Sequence, residues 1–191
     1  MFINVENTPN PNTLQFVLSK NIIEDNKTYN FNNTNSSTIS PLVNQLFTVA
    51  EITGVLLSSN FISVSIKNSS EWDVLKPLII SHITEFLSTG FPIVIASDNA
   101  VVDEFIVKNP ADKEIALKIQ ELFDERIRPA VAMDGGDIIL KEYAEGKVYI
   151  AMQGSCSGCP SSTITLKNGI ENMLKYYIPE IVEVIDIDTQ I

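Results

Sequence analysis

Gly154-Ser155-Cys156-Ser157-Gly158-Cys159-Pro160-Ser161-Ser162 holds both cysteines of the 191-residue chain and spaces them as C-x-x-C. Two small residues between the thiols let the backbone turn tightly enough for both sulfurs to face one point. Gly158 tolerates the positive φ that such a loop usually needs. Pro160 suits the first position of a helix, where its missing N–H is not required, and this puts Cys159 at the N-cap. The positive end of a helix dipole favours thiolate, the form that reacts and binds metal. The stretch therefore reads as a soft, anionic sulfur pair at a loop-to-helix junction.

Working outward from it, Lys147–Met152 is a strand whose Val148, Ile150 and Met152 alternate toward one face. A short turn at Ala144-Glu145-Gly146 joins it to an earlier strand, Ile138–Tyr143. Before that, a helix begins at Asp112 and carries Ile115, Ile119, Leu122, Phe123 and Ile127 at helical spacing. Arg126 and Arg128 suit its C-terminal end, Pro129 kinks or restarts it, and Met133-Asp134-Gly135-Gly136-Asp137 ends it in a sharp reversal. After Pro160 a helix carries Leu166, Ile170, Met173, Leu174 and Tyr177 on one side. Pro179 stops it, and Ile181–Ile187 is the last strand. The order is αββαβ.

The first half reads as ββαββα. Phe2–Val5 and Leu14–Leu18 are strands around the stiff turn Thr8-Pro9-Asn10-Pro11-Asn12. The Asn/Ser/Thr-rich stretch 26–37 reads as an exposed loop. Ser40-Pro41 caps a helix, strands follow at Ile52–Ser58 and Phe61–Lys67, and Ser70-Glu71-Trp72-Asp73 opens a longer helix closed by Gly90. Ile93–Ala96 closes this domain or begins the tether. Both halves place helices on a small sheet, so the fold class is α+β, two small α/β sandwich-type domains. The expected division is residues 1–97, a linker over 98–111, and 112–191.

Lys and Arg number 13 against 24 Asp and Glu, a formal charge of −11 spread over both halves. This acidity excludes nucleic acid and anionic membrane surfaces as expected partners. No apolar run reaches membrane-span length. The first residues lack a signal-peptide or transit-peptide pattern. A single C-x-x-C with no other cysteine pair fits a reducing compartment, and the chain reads as cytoplasmic.

A tetrahedral zinc or an iron–sulfur cluster takes four protein ligands; this chain offers two cysteines. Either the pair works alone as a dithiol, or two chains each give two sulfurs to one metal centre. The lone histidine, His82, lies beside an apolar helix stripe and reads as a packed helix residue. Asp134 and Asp137, which could deliver iron, read better as turn and capping residues beside the glycines.

Glu6-Asn7-Thr8-Pro9-Asn10-Pro11-Asn12-Thr13-Leu14-Gln15-Phe16 resembles the N-terminal domain of Nfu-type iron–sulfur scaffold proteins through its T-P-N-P-N-x-x-x-F pattern. From about Asp112 to Asp188 the chain resembles the NifU-like C-terminal domain. That likeness rests on Arg128 to Asp137, Gly154 to Ser162, Thr165-Leu166-Lys167 and Gly169-Ile170-Glu171. The resemblance implies a carrier rather than an enzyme. It would bind a labile [4Fe-4S] cluster through Cys156 and Cys159 of each chain of a homodimer, receive it from upstream cluster-assembly proteins, and hand it to apo iron–sulfur acceptor proteins. The first domain would aid partner recognition. Ser155, Ser157 and loop N–H groups would hydrogen-bond cluster sulfurs. Two rivals stand beside this reading. One is a thioredoxin-like oxidoreductase, although a hairpin rather than a βαβ strand precedes the cysteines; the other is a structural zinc shared by two chains.

Overall fold

The computed structural model describes residues 2–23, 27–32, 39–95, 105–157 and 160–187, with backbone alone at 160–162. It divides into two compact units, Met1–Ala100 and Val101–Ile191, each with its own apolar core. Both mix helices with a sheet, the α+β class expected.

In the first unit, five strands are β1 (Ile3–Asn7), β2 (Thr13–Leu18), β3 (Tyr29–Asn32), β4 (Ile52–Leu57) and β5 (Phe61–Ile66). They pair antiparallel in the order β1-β2-β5-β4-β3. Helix α1 (Pro41–Leu46) starts where Ser40 Oγ accepts a hydrogen bond from the Val43 N–H. Helix α2 (Trp72–Ser88) buries Trp72, Leu75, Ile79, Ile83 and Phe86 with Leu42 and Leu46 of α1 and Phe16, Ile52 and Val64 of the sheet. Gly90 follows it at φ 73°, the left-handed conformation its position called for. His82 is half-buried, with Nδ1 2.9 Å from Gln45 Nε2.

One feature departs from the expected order, and residues 93–95 take one of the two courses left open to them. Within the stretch read as an exposed loop, Tyr29–Asn32 forms edge strand β3, with Phe31 buried opposite Val55; residues 33–37 lie outside the described ones. Ile93 is buried and the Ile95 N–H donates to the Ile39 carbonyl at 2.7 Å, so 93–95 dock without forming a strand. Ala96 lies outside the described residues.

The Thr8–Asn12 turn has an anchoring role. Thr8 Oγ1 donates to the carbonyls of Asn10 and Thr13, and the Asn12 side-chain oxygen accepts from the Ser69 N–H at 3.0 Å. Trp72 Nε1 donates to the Pro11 carbonyl at 3.0 Å. The rigid turn thus fastens the β1–β2 connection to the start of α2.

In the second unit, β6 (Ile106–Val107), β7 (Gly136–Ala144), β8 (Lys147–Gly154) and β9 (Glu183–Asp186) form a sheet in that order. The β7–β8 hairpin is antiparallel and the outer pairings are parallel. Part of the stretch read as linker therefore joins this sheet: β6 runs beside Glu142 and Tyr143. The Asn109 side chain then caps the turn at Pro110–Asp112. Residues 98–104 lie outside the described ones. The hairpin turn is Glu145-Gly146, both at positive φ (51° and 77°), the geometry that matches strand twist in a two-residue connection.

The long helix of this unit has three parts: α3 (Lys113–Leu122), a wide π segment (Phe123–Ile127) and α4 (Arg128–Met133). The cause is legible in the side chains it buries. Ile119, Phe123, Ile127 and Val131 recur every four residues, a spacing that drifts roughly 40° per step around a regular α-helix. Locally wider turns keep all four on the core. Pro129 acts in the same direction, because it lacks an N–H and its ring crowds the carbonyl four residues back. Helix α5 (Pro160–Tyr177) starts at Pro160 as expected and buries Ile170 and Leu174, with Leu166 and Met173 half-buried. Tyr177, expected on the same side, is instead exposed. It meets Tyr176 edge-on, and the Arg126 guanidinium lies 5.0 Å from its ring centre.

Candidate metal centre

Strand β8 delivers the chain to the cysteine loop at Gly154, which stands opposite Gly136 at the start of β7. Gly154 has φ 62° and turns the chain out of the sheet. The loop then locks onto the turn before β7. The Ser155 N–H donates to the Gly135 carbonyl at 3.2 Å, and Ser155 Oγ donates to the Asp134 carbonyl. The Ser157 N–H and hydroxyl both donate to the Gly154 carbonyl, at 3.2 and 2.9 Å. From the other side, Thr163 Oγ1 of α5 donates to the Cys156 carbonyl at 3.3 Å.

This interlock explains why two glycines are adjacent at 135 and 136. Gly135 has φ 75°, which a side chain would strain. At Gly136 the reason is space. A Cβ there would sit 2.3 Å from Cys156 Sγ, 3.0 Å from the Gln153 carbonyl oxygen and 3.1 Å from the Cys156 nitrogen. The missing side chain is the hollow that the thiol fills. Asp137 then anchors the turn. Its buried carboxylate takes a bidentate ion pair from Arg128, 3.0 Å from Nε and 2.9 Å from Nη2, and Oδ1 accepts from the Ile138 N–H at 2.8 Å. Arg128 also lies 3.5 Å from Asp124. Asp137 is thus a structural anchor, and Asp134, whose side chain is exposed, contributes its backbone carbonyl. Turn and capping roles fit both.

Cys156 departs from the reading of an anionic sulfur. It is 6% exposed and belongs to the apolar core of this unit. Burial pushes its thiol up to about 12 against an ordinary 9.0; the Ser155 hydrogen bond pulls it down, and the Asp134 and Asp137 carboxylates add to the rise. The thiolate-favouring environment expected of a helix N-terminus is not what Cys156 occupies, because its side chain turns inward under Gly136. Cys159 and its N-cap position lie outside the described residues, as does Gly158. Of the hydroxyls expected to meet a cluster, that of Ser157 donates to the Gly154 carbonyl, while that of Ser155 meets both the Asp134 carbonyl and the Cys156 thiol.

Among the described residues, no group of three or more His, Cys, Asp or Glu side chains could hold a metal ion. The donor chemistry left is the C-x-x-C pair: soft sulfur ligands, suited to zinc or an iron–sulfur cluster, and two short of a full set. Among the described residues, no helix is long and apolar enough to cross a membrane.

A helix-backed sheet ending in a glycine-clamped cysteine loop, preceded by a separate α+β unit, defines a class. Residues 119–185 match the NifU-like domain, and residues 3–90 match the N-terminal domain of Nfu/NifU scaffold proteins. The chain belongs to the Nfu/NifU-like family. Among its relatives is the NFU1 iron-sulfur cluster scaffold homolog, mitochondrial, of Drosophila erecta, 42% identical over 95% of this chain. The protein of the same name from Drosophila sechellia is 43% identical over 95%. This chain spans 63% of the length of either. The solution structure of a NifU-like protein from Saccharomyces cerevisiae aligns with 51% of this chain and 87% of its own, at 22% identity and a TM-score of 0.46.

The relatives' names overturn the cytoplasmic reading, since they are mitochondrial proteins. Cysteine usage reports whether a compartment is reducing, not which one it is.

Proposed function

We propose that this chain is a mitochondrial iron–sulfur cluster carrier, not an enzyme. It holds a 4Fe–4S cluster as cargo between two copies, through Cys156 and Cys159 of each, and passes it to apo-proteins. The observation that carries the reading is the lone sulfur pair in a NifU-like domain built to hold its loop by backbone bonds. A full ligand set needs a second copy. The cluster supplies the Lewis-acidic iron that converts thiols to thiolates on binding.

The chain's own residues hold and release the ligand. Asp134, Gly135 and Thr163 hold the described part of the loop, so loading requires of Cys156 only that its side chain leave the Gly136 hollow and lose its proton. A neutral, buried thiol is a poor nucleophile, which protects Cys156 from oxidation in the empty carrier. The same feature disfavours the oxidoreductase reading, whose attacking cysteine needs a depressed pKa. The first unit, with its turn fastened to α2, serves partner recognition, and upstream assembly proteins supply the cluster.

Anoxic reconstitution tests the reading, with iron and acid-labile sulfide counted and mass measured on the same sample. About four irons and four sulfides per two chains are expected. Zinc without sulfide, or insulin-reductase activity without metal, would replace this function with one of its rivals.

A further inference from the structure

Two large apolar side chains stand in solvent next in sequence to residues that hold the cysteine loop: Met133, 80% exposed, and Ile164, 62% exposed. Each is the immediate chain neighbour of a residue that grips the loop. Asp134, next to Met133, accepts from Ser155 through its carbonyl, and Thr163, next to Ile164, donates to the Cys156 carbonyl at 3.3 Å. Each α-carbon is therefore about 3.8 Å from that of a residue bonded to the loop. Met133 ends α4 and Ile164 lies early in α5, so the pair comes from two elements that each reach the loop through a neighbouring residue.

We propose that Met133 and Ile164 form the apolar contact with a second copy of this chain. The inference rests on the shared-cluster reading above. A site two sulfurs short is completed only when a second loop comes within reach of the same cluster, and whatever flanks the loop is then covered. Charge selects the kind of contact. Each copy carries −11, so two copies repel at long range. Burial of apolar surface at short range is the force available to offset that repulsion.

The test uses the full chain, reconstituted without oxygen with iron and sulfide, and followed by sedimentation velocity over a dilution series. Met133→Gln, Ile164→Gln and the double variant keep the net charge and suit helices; Leu117→Gln, at a position 60% exposed on α3, is the control. The double variant should dissociate at a concentration at least about tenfold higher than the parent, while Leu117→Gln follows the parent. Raising salt should tighten the parent dimer by screening like charges. The single variants carry the test if the double one is poorly soluble. A parent that loads cluster and dimerises, with variants that dimerise equally well, overturns the surface and leaves the carrier function standing. Variants that dimerise normally but transfer slowly assign the patch to an acceptor, which also overturns it. A parent that takes up no cluster removes the reason for a second copy, and the proposal falls with the function.

Discussion

Gly136→Ala tests the glycine hollow directly. The new Cβ would lie 2.3 Å from Cys156 Sγ, 1.1 Å inside the 3.4 Å at which ordinary contact begins. The two other close neighbours, the Gln153 carbonyl oxygen and the Cys156 nitrogen, are backbone atoms tied into the β7–β8 junction. The thiol is the group able to yield, and it swings out of the core. Overpacking of this kind costs about 1–3 kcal/mol, a measurable fall in the second unit's unfolding midpoint. The sharper readout is alkylation by iodoacetamide in a Cys159→Ser background at pH 8. With its thiol pushed up to about 12, Cys156 is ionised in roughly one molecule in ten thousand, against about one in ten for a cysteine at its ordinary 9.0. Moving it into water should therefore speed alkylation at least about 100-fold. A Gly136→Ala variant that folds normally and alkylates as slowly as its parent would refute the claim that the missing side chain holds the thiol inward.

Three further outcomes are expected. Because Cys156 keeps its proton in the folded state after an unfolded chain has lost it, stability should fall as pH rises from about 9 toward 12, by at most about 4 kcal/mol; Cys156→Ala should flatten that part of the urea-unfolding profile. Arg128→Gln leaves the buried Asp137 carboxylate without its bidentate partner, at a cost of about 3–5 kcal/mol. The loss should show in far-UV circular dichroism, with little change in the fluorescence of the single tryptophan, Trp72, which is packed in the core of the first unit. A fragment spanning residues 101–191, which retains β6 and its own core, should load cluster as the full chain does; a fragment that folds but binds no iron would contradict that division of labour.

Much of the scaffold was legible because it follows local rules. Ser40-Pro41, Gly90, the Glu145-Gly146 turn and Pro160 each act where their backbone chemistry directs. Strand β3 was obscured because Tyr29 and Phe31 alternate with asparagines, which strands disfavour, on a short edge. The two-residue strand β6 is too short for any periodic signal. At the candidate site, Asp134–Asp137 read as a turn and Gly154–Ser162 as a loop. Their interlock depends on register, with Gly136 set opposite Gly154, and no local pattern encodes it. The same gap hid the inward turn of Cys156, since C-x-x-C spacing says nothing about side-chain rotation. The four-residue recurrence of Ile119, Phe123, Ile127 and Val131 was a usable sign of the π segment.

That segment has a further consequence, for which parts of the chain can change length. Insertions and deletions are ordinarily confined to loops, because one residue added to a regular helix turns everything beyond it by about 100°. Here Val131 lies twelve positions after Ile119 while both face the core, and a step of eleven would make about three plain α turns. Removing one residue, such as the exposed Glu125, would let the wide turn relax to an ordinary one with Ile119 and Val131 still in phase. The helix thus holds one residue more than its two ends require, and this domain can lose a residue within a helix without moving the turn that clasps Cys156.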